Sequence, residues 1–393
     1  MELKVDTNLK LPLHHQIGEG ILSQVRSGKF KSGELLFTEV GLSERFGISL
    51  GPIRQAVNEL VSRGILERRR AKGVFLADAE GKTPLNRRIT YITPDISHSF
   101  FGSMVRGGEH CAREQGYDIV ISNTDFDRAK EAKLLTDLAS TEPHIVVLCT
   151  TGGAGSRPAI ERLVERGFIV VMIDSHFPGL NVDAVENDNV KIARDATEYL
   201  IGLGHRQIAF ITVDESEALN APLRRRGYQQ AMERAGLTPL VAVIDYPGDK
   251  WEVDNERRTA EWLEGLNGNY PTACFVISDT NAVGVLRGLR KMNLQVPEDV
   301  SVIGCSDLDF ARMLTAPLTT INQDSYGMGH TGVQIGIDRR EGRLTGEPVV
   351  KVQPHRLVER MTTQRPNADE NGPPAKSARR KGKSRARSDT VPA

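Results

Sequence analysis

The chain has 393 residues but only four cysteines, Cys111, Cys149, Cys274 and Cys305, with no CxxC pair among them. Thiols this widely spaced, three of them in or beside apolar runs, read as reduced core residues rather than as a redox or metal centre. No apolar run approaches membrane-spanning length, and the opening "MELKVDTNLKLPLHHQIGEG" mixes charged and apolar residues as no secretory leader does. No membrane association is expected, and the expected location is cytoplasmic. The glycine-rich loop "TTGGAGS" lacks both GxGxxG and the GxxxxGK phosphate-loop pattern, and neither a nucleophile elbow nor a metal-spaced histidine cluster occurs. An enzyme, a cofactor and a metal are accordingly not expected. Net charge is absent too, since 51 basic residues balance 51 acidic ones. The balance is not local: residues 1–88 carry +5, residues 364–393 another +5, and the stretch between them −10. Two basic ends on an acidic body suit a protein that touches nucleic acid with one end.

What is present falls into three segments. In "PLHHQIGEGILSQVRSG", Leu13, Ile17, Ile21 and Val25 recur every four residues behind Pro12, and the pattern stops at Gly28, which predicts an amphipathic helix. "TEVGLSERFG" predicts a shorter helix with Thr38 as N-cap, Leu42 and Phe46 facing inward and Gly47 closing it. A third helix follows almost at once. Ile53, Val57, Leu60 and Val61 form its buried stripe, and Arg54, Gln55, Asn58 and Ser62 its opposite face. "ILERRRAKGVFLA" then alternates into two short strands around a basic turn containing Lys72 and Gly73.

From about Arg88 to Thr363, strand-like runs alternate with helical ones. The runs are "RITYIT", "YDIVIS", "HIVVLCT", "FIVVMID", "RQIAFIT", "VAVIDY", "ACFVIS" and "VSVIGCS". This βαβ signature predicts parallel sheets covered by helices, and its length predicts two α/β lobes. The expected division is a head at 1–77, an exposed linker at 78–88, a two-lobed body at 89–363 and a disordered basic tail at 364–393. The tail's cationic cluster can add nonspecific affinity for polyanions.

Two helices joined by the tight "GIS" turn, the second with a polar outer face and followed by a basic β-turn, make the pattern of a winged helix-turn-helix. A major groove admits one α-helix, and side chains near its N-terminus reach base edges. Ser49, Gly51, Arg54 and Gln55 occupy that end. Arg54 suits a guanine edge or a phosphate, Gln55 suits adenine, and Gly51 allows close backbone approach. Arg69, Lys72 and Gly73, beside Arg70, would lie along the backbone or in the minor groove. The alternative is a plain helical packing unit with a solvated polar face.

"PLHHQIGEGILSQVRSGKFKSGE", "LSERFGISLGPIRQAVNELVSRGILERR" and "KGVFLA" resemble the DNA-binding domain of the GntR family over nearly its whole length. The resemblance implies a homodimer on a palindromic double-stranded operator, with contacts falling on Thr38, Ser49, Gly51, Arg54 and the wing tip at Gly73. Two positions depart from the pattern. Leu50 stands where an arginine is usual, and Val40 where a basic residue is frequent.

The body resembles the effector domain of LacI-family repressors, which shares the two-lobed periplasmic-binding-protein-like fold. The likeness runs through "SFFGSMVRGGEHCAREQGYDIVISNTD", "YLIGLGHRQIAFI", "RRRGYQQAMERAGL" and "SDTNAVGVLRGLRKMNLQVPEDVSVIGCSD". A GntR-type head on such a body resembles the architecture of arabinose-responsive repressors. It implies a pocket in which charged and amide groups meet sugar hydroxyls beside an aromatic ring. The positions carried over are Phe101, Asp174, Arg224 and Asp279, with Trp251 more loosely. The usual ligand aspartate is replaced in "GCSD" by Ser306, with Asp307 one residue later. The function expected is a repressor whose operator affinity is set by a small effector, a sugar or sugar derivative. The competing expectation is a cytoplasmic solute-binding protein without specific DNA readout.

Overall fold

The computed structural model describes residues 12–26, 29–31, 33–62, 65–69, 72–77, 87–152, 155–214, 219–244 and 251–367; in 26, 62 and 251–254 only the backbone is described. Two compact units divide between Arg88 and Ile89, with 116–118 grouped with the first. Most of the expected linker, 78–86, lies outside the described residues.

The first unit runs α1 (Leu13–Arg26), β1 (Leu35–Phe37), α2 (Glu39–Phe46), α3 (Leu50–Ser62), β2 (Leu66–Arg69) and β3 (Gly73–Leu76). Ile17, Ile21, Leu42, Ile53, Val57 and Leu60 form its core, as the helical spacing predicts, joined by Leu22, Ala56, Leu66 and Val74. Val25, Phe46 and Val61 pack partly buried at its margin. Thr38 caps α2 by accepting from the Gly41 N–H at 3.0 Å, and Gly47 ends it at φ 64°. The strands β2 and β3 are antiparallel, as expected. Sequence reading missed β1, which pairs with β3 to give the order β1-β3-β2.

The second unit begins with β4 (Arg88–Thr93), α4 (Ser99–Glu114), β5 (Asp118–Asn123), α5 (Arg128–Leu138), β6 (Ile145–Leu148), α6 (Ser156–Glu165), β7 (Ile169–Asp174) and β8 (Asp183–Asn187). Then come α7 (Asn189–Leu203), β9 (Ile208–Thr212), α8 (Ala221–Arg234), β10 (Leu240–Val243), α9 (Trp251–Gly265), β11 (Ala273–Val276), α10 (Asp279–Lys291), β12 (Ser301–Ser306) and β13 (Thr319–Asn322). The remaining elements are α11 (Ser325–Arg340), β14 (Val350–Gln353) and β15 (Arg356–Val358). All eight expected strands form. They sort into two six-stranded sheets, β14-β8-β7-β6-β4-β5 and β10-β9-β11-β12-β13-β15. Pairing is parallel from β9 to β13, and helices cover both faces of this sheet, which is why its strands read as unbroken apolar runs. Phe210, Phe275 and Tyr228 stack inside the second lobe; burying such a ring contributes about 1.5–3 kcal/mol.

Among the described residues the chain passes between lobes three times, at 187–189, 322–325 and 353–356. Asn187 binds the crossings together: its Nδ2 donates to the Gln323 carbonyl at 3.2 Å and the Gln353 carbonyl at 3.0 Å. Gln353 in turn donates to Asp324.

The expected start of the disordered tail needs correction. Residues 364–367 are seated on the second lobe, because the buried His205 takes the Gln364 carbonyl at 2.9 Å, the Gln364 N–H donates to Ser301 and Asn367 donates to the Glu298 carbonyl. Residues 368–393 lie outside the described residues.

Candidate functional site

In the first unit, α3 carries Arg54 and Gln55 exposed on the face opposite Ile53, Ala56 and Val57. Ser49 is exposed in the turn before it. Gly51 sits in the first turn, exposed, and a Cβ there meets nothing within 4 Å. The fold of this unit therefore does not require glycine there, although glycine weakens a helix by about 1 kcal/mol against alanine. Glu39 accepts from Arg54 at 3.4 Å and from Arg68 at 2.6 Å, fixing α3 and β2 to the start of α2. Arg68, not singled out from sequence, thus shares an anchor with Arg54.

The wing residues divide by role. Arg69 lies 4.6 Å over the Phe75 ring and pairs with Glu67 at 3.0 Å, while Lys72 is exposed at the turn. Gly73 has φ 115°, and a Cβ there would stand 2.7 Å from Leu35 Cδ1 and 2.9 Å from the Phe37 carbonyl. Its glycine is required by β1, the strand that sequence reading missed. Val40 is 55% exposed on α2, so the departure at that position leaves an apolar side chain at the surface.

In the second unit the motif "RRRGY" separates into distinct jobs. Tyr228 is core, its hydroxyl donating to the Ile208 carbonyl at 2.7 Å. Gly227 lets α8 meet α7, since a Cβ would fall 2.0 Å from the Val190 carbonyl oxygen. Arg224 is only 5% exposed, and its guanidinium spreads over three acceptors: Asn189 Oδ1 at 2.8 Å, Gln323 Oε1 at 2.8 Å and the Ile277 carbonyl. Arg225 is half-buried and Arg226 exposed.

Asp174 ends β7 in the first lobe at φ 70° and accepts from Asn220 Nδ2 of the second lobe at 3.2 Å. Burial pushes its carboxyl up to about 6, against the opposing pull of Arg224 and the Asn220 hydrogen bond. Phe101 lies in an aromatic group with His98, Phe100 and Phe126, at centroid distances of 5.3, 5.4 and 5.7 Å. His98 Nε2 meets Thr280 Oγ1 of the second lobe at 3.0 Å, and burial lowers the histidine's pKa. Asn220–Asp174 and His98–Thr280 are thus hydrogen bonds between the lobes, with the Phe101 ring against His98 and the Arg224 charge acting on Asp174. Ser306 is linked to Arg224 through Gln323, whose Nε2 donates to the Ser306 hydroxyl at 3.1 Å.

Two expected cleft carboxylates are engaged elsewhere. Asp279 is fully buried; its oxygens accept from the Leu308 N–H at 2.8 Å and the Thr320 hydroxyl at 2.5 Å, and burial raises it to about 6. It does not cap α10, which Ser278 does by accepting from the Asn281 N–H. Asp307 pairs with Arg360 at 2.5 Å and accepts from Asn322 at 2.8 Å. The carboxylate displaced by one residue is therefore neutralised inside its own lobe, leaving a hydroxyl in its place. The side chain of Trp251 lies outside the described residues.

The residues missed from sequence are the amides Asn187, Asn189, Asn220 and Gln323, together with His98. Their signal was the clustering of Asn, Gln and Asp just after strands, in "VENDN" and "TINQD". The glycine-rich loop is organised from within. Glu131, fully buried, accepts from the Thr150, Thr151 and Ser156 hydroxyls and the Thr151 N–H at 2.6–2.9 Å. A carboxylate holding that N–H leaves it unavailable to a phosphate.

Comparison with known proteins agrees with both halves. Residues 13–76 match the model of the bacterial regulatory proteins of the gntR family, and residues 197–363 that of the periplasmic binding protein-like domain. The arabinose metabolism transcriptional repressor of Geobacillus stearothermophilus is 28% identical over 340 residues, spanning 85% of this chain and 92% of that protein. The transcriptional repressor CytR of Escherichia coli (strain K12) is 31% identical over 264 residues, spanning 66% of this chain and 75% of CytR. Among solved structures, a LacI family transcriptional regulator from Enterococcus faecium with bound ribose superposes with a TM-score of 0.61 at 25% identity, covering 71% of this chain and all of that one. The chain belongs to the bacterial transcriptional repressors of LacI type, in the form that joins a gntR-family helix-turn-helix domain to a periplasmic-binding-protein-like body.

Proposed function

We propose that this repressor binds a small polyol in the interlobe cleft and releases its operator in response. The observation that carries this reading is the bonding of Arg224, whose charge acts on Asp174 of the first lobe while its guanidinium grips Gln323 in a crossing between the lobes. A ligand that draws on Arg224 and Asp174 acts on the segments about which the lobes turn, and its effect on DNA equals its difference in affinity for the two arrangements. The side chains proposed to hold it are Asp174, Asn220, Arg224 and Ser306, with Phe101 against its apolar face. The names of relatives, an arabinose metabolism repressor and a ribose-bound regulator, favour a pentose or its derivative.

On the DNA side, Thr38, Ser49, Gly51, Arg54 and Gln55 meet the operator, with Arg69, Lys72 and Gly73 along its backbone. One helix-turn-helix reads one half-site, so a homodimer on a palindrome, acting in the cytoplasm, is the arrangement proposed. The test is a footprint of genome-derived fragments at two salt concentrations, challenged with pentoses, hexoses, oligosaccharides and nucleobases. A discrete palindromic footprint released by one compound is the expected result. The exposed Val40 and the presence of Leu50 favour a second reading, a sensor whose head no longer reads sequence. Diffuse, salt-sensitive binding unchanged by any compound would select it.

A further inference from the structure

The first turn of α1 and the last turns of α3 bring together side chains that neither the DNA reading nor the effector reading uses. His14 and His15 are adjacent in sequence, and neighbours on an α-helix normally diverge by about 100°. Here their rings lie side by side, with centroids 4.3 Å apart and planes tilted by 35°. Glu59 arrives from α3, and one donor atom from each of the three residues falls within 4.8 Å of the others. His14 is half-buried and the other two are exposed. Sequence reading finds no metal-spaced histidines because it is the fold that supplies the third donor, 44 residues after His15.

We infer that His14, His15 and Glu59 form a site for a divalent transition-metal ion of the zinc class. Two imidazoles and one carboxylate are the donors that zinc, cobalt(II) and nickel(II) accept, whereas calcium and magnesium take oxygen alone. Metal–ligand bonds of about 2.0–2.2 Å place tetrahedral donors about 3.3 Å apart. The donors stand within 4.8 Å of one another, so seating a tetrahedral ion requires the His15 and Glu59 side chains to turn toward it. Three protein ligands leave a fourth position to water or another small donor. The ion would tie α1 to α3, stabilising the seat of that helix by an amount that grows with the logarithm of free metal above its Kd. The coupling to DNA rests on the proposed role of α3; the metal site itself does not.

The test uses the full chain without an affinity tag, stripped with chelator, dialysed and titrated with cobalt(II), with zinc then displacing it. The expected result is one cobalt per chain, with the visible d–d absorption of a nitrogen- and oxygen-ligated ion. Zinc should displace it, with affinity lowered about tenfold or more in His15→Ala and in Glu59→Gln. Circular dichroism of the variants establishes that the fold persists, since both positions are exposed. No stoichiometric uptake at micromolar metal overturns the site. Uptake that both variants leave unchanged overturns it equally, as an adventitious ion only on other histidines. Because no DNA enters the titration, its outcome is independent of whether the head reads an operator.

Discussion

Arg224 donates from Nη2 to Gln323 Oε1 at 2.8 Å, so a buried guanidinium of the second lobe is bonded to a residue in a crossing between the lobes. Gln323 passes the connection on in two directions, through its own amide to Ser306 and through its carbonyl to Asn187. Asn187 also holds the Gln353 carbonyl of another crossing. Arg224, Ser306 and two crossings therefore share one hydrogen-bonded network, and on the proposed function cutting it at different points should separate binding from response.

Arg224→Lys removes the planar fork that reaches three acceptors and leaves the amide oxygens of Asn189 and Gln323 short of a donor. It should cost about 2–4 kcal/mol of stability and abolish effector binding, read by thermal unfolding and by calorimetry with the releasing compound. Gln323→Ala keeps the guanidinium but cuts the connection. It should leave effector affinity within about fivefold of the parent while weakening effector-driven release of the operator. Undiminished release would sink the coupling.

Asp174 has a carboxyl raised to about 6, so it is ionised near pH 7.5 and half protonated near pH 6. An ionised carboxylate accepts two effector hydroxyls and a protonated one accepts less well. Effector affinity should therefore fall as pH drops through about 6, and Asp174→Asn should bind weakly with that inflection gone. Calorimetry across the range checks both, and a flat profile in the parent protein excludes the carboxylate as a ligand.

Asp279 makes the opposite case, a strut rather than a ligand. Asp279→Ala strands the Leu308 N–H and the Thr320 hydroxyl in the core, a loss of about 2–4 kcal/mol seen as a lowered Tm. Its folded carboxyl, at about 6, holds a proton more tightly than the usual 3.8. The stability linked to its titration is thus full below about 4 and lost as pH rises through 6. Urea unfolding at several pH values should show a smaller decline over that window in Asp279→Asn than in the parent. An equal decline in both would assign it to other groups.

Gly51→Ala tests the open space at the start of α3. A Cβ there touches nothing in the protein, so stability should hold or rise by about 0.5–1 kcal/mol. On the proposed role of α3, operator affinity should nevertheless drop, because the added methyl would stand between the helix and the DNA. Arg54→Ala should cost about 1–3 kcal/mol of operator binding. If both variants footprint like the parent, this face of α3 does not meet DNA.

Sequence periodicity found the strands whose residues form unbroken apolar runs, among them β6, β9 and β11, which are buried throughout. It missed β1, β8, β13, β14 and β15. β1 and β15 have three residues each, β8 and β13 are largely buried but mix Asp183, Glu186, Asn187, Thr319, Thr320 and Asn322 into their runs, and β14 exposes Val350, Lys351 and Val352 at a sheet edge, so none carries an unbroken apolar signal. Asp174, singled out at its strand end, meets Asn220 of the other lobe, and Arg224, singled out by its motif, meets Gln323 in a crossing. The true occupation of Asp279 and Asp307 was not legible, since the partners that claim them, Thr320 and Arg360, lie 41 and 53 residues further along. Gly73 shows the same limit: its sequence context suggested a wing tip, but its conformation is explained by β1.

The three crossings also constrain how the molecule is made. Neither lobe is a continuous stretch of chain: α11 and β14, which complete the first sheet, are translated only after most of the second lobe, and β15 then completes the second sheet. On the ribosome, the first five strands of lobe one must wait with the apolar face that α11 covers unprotected until residue 340 has emerged. A chain stopped short of Gln353 leaves both lobes unfinished, so interruption during synthesis should yield degraded product rather than a stable half-sensor.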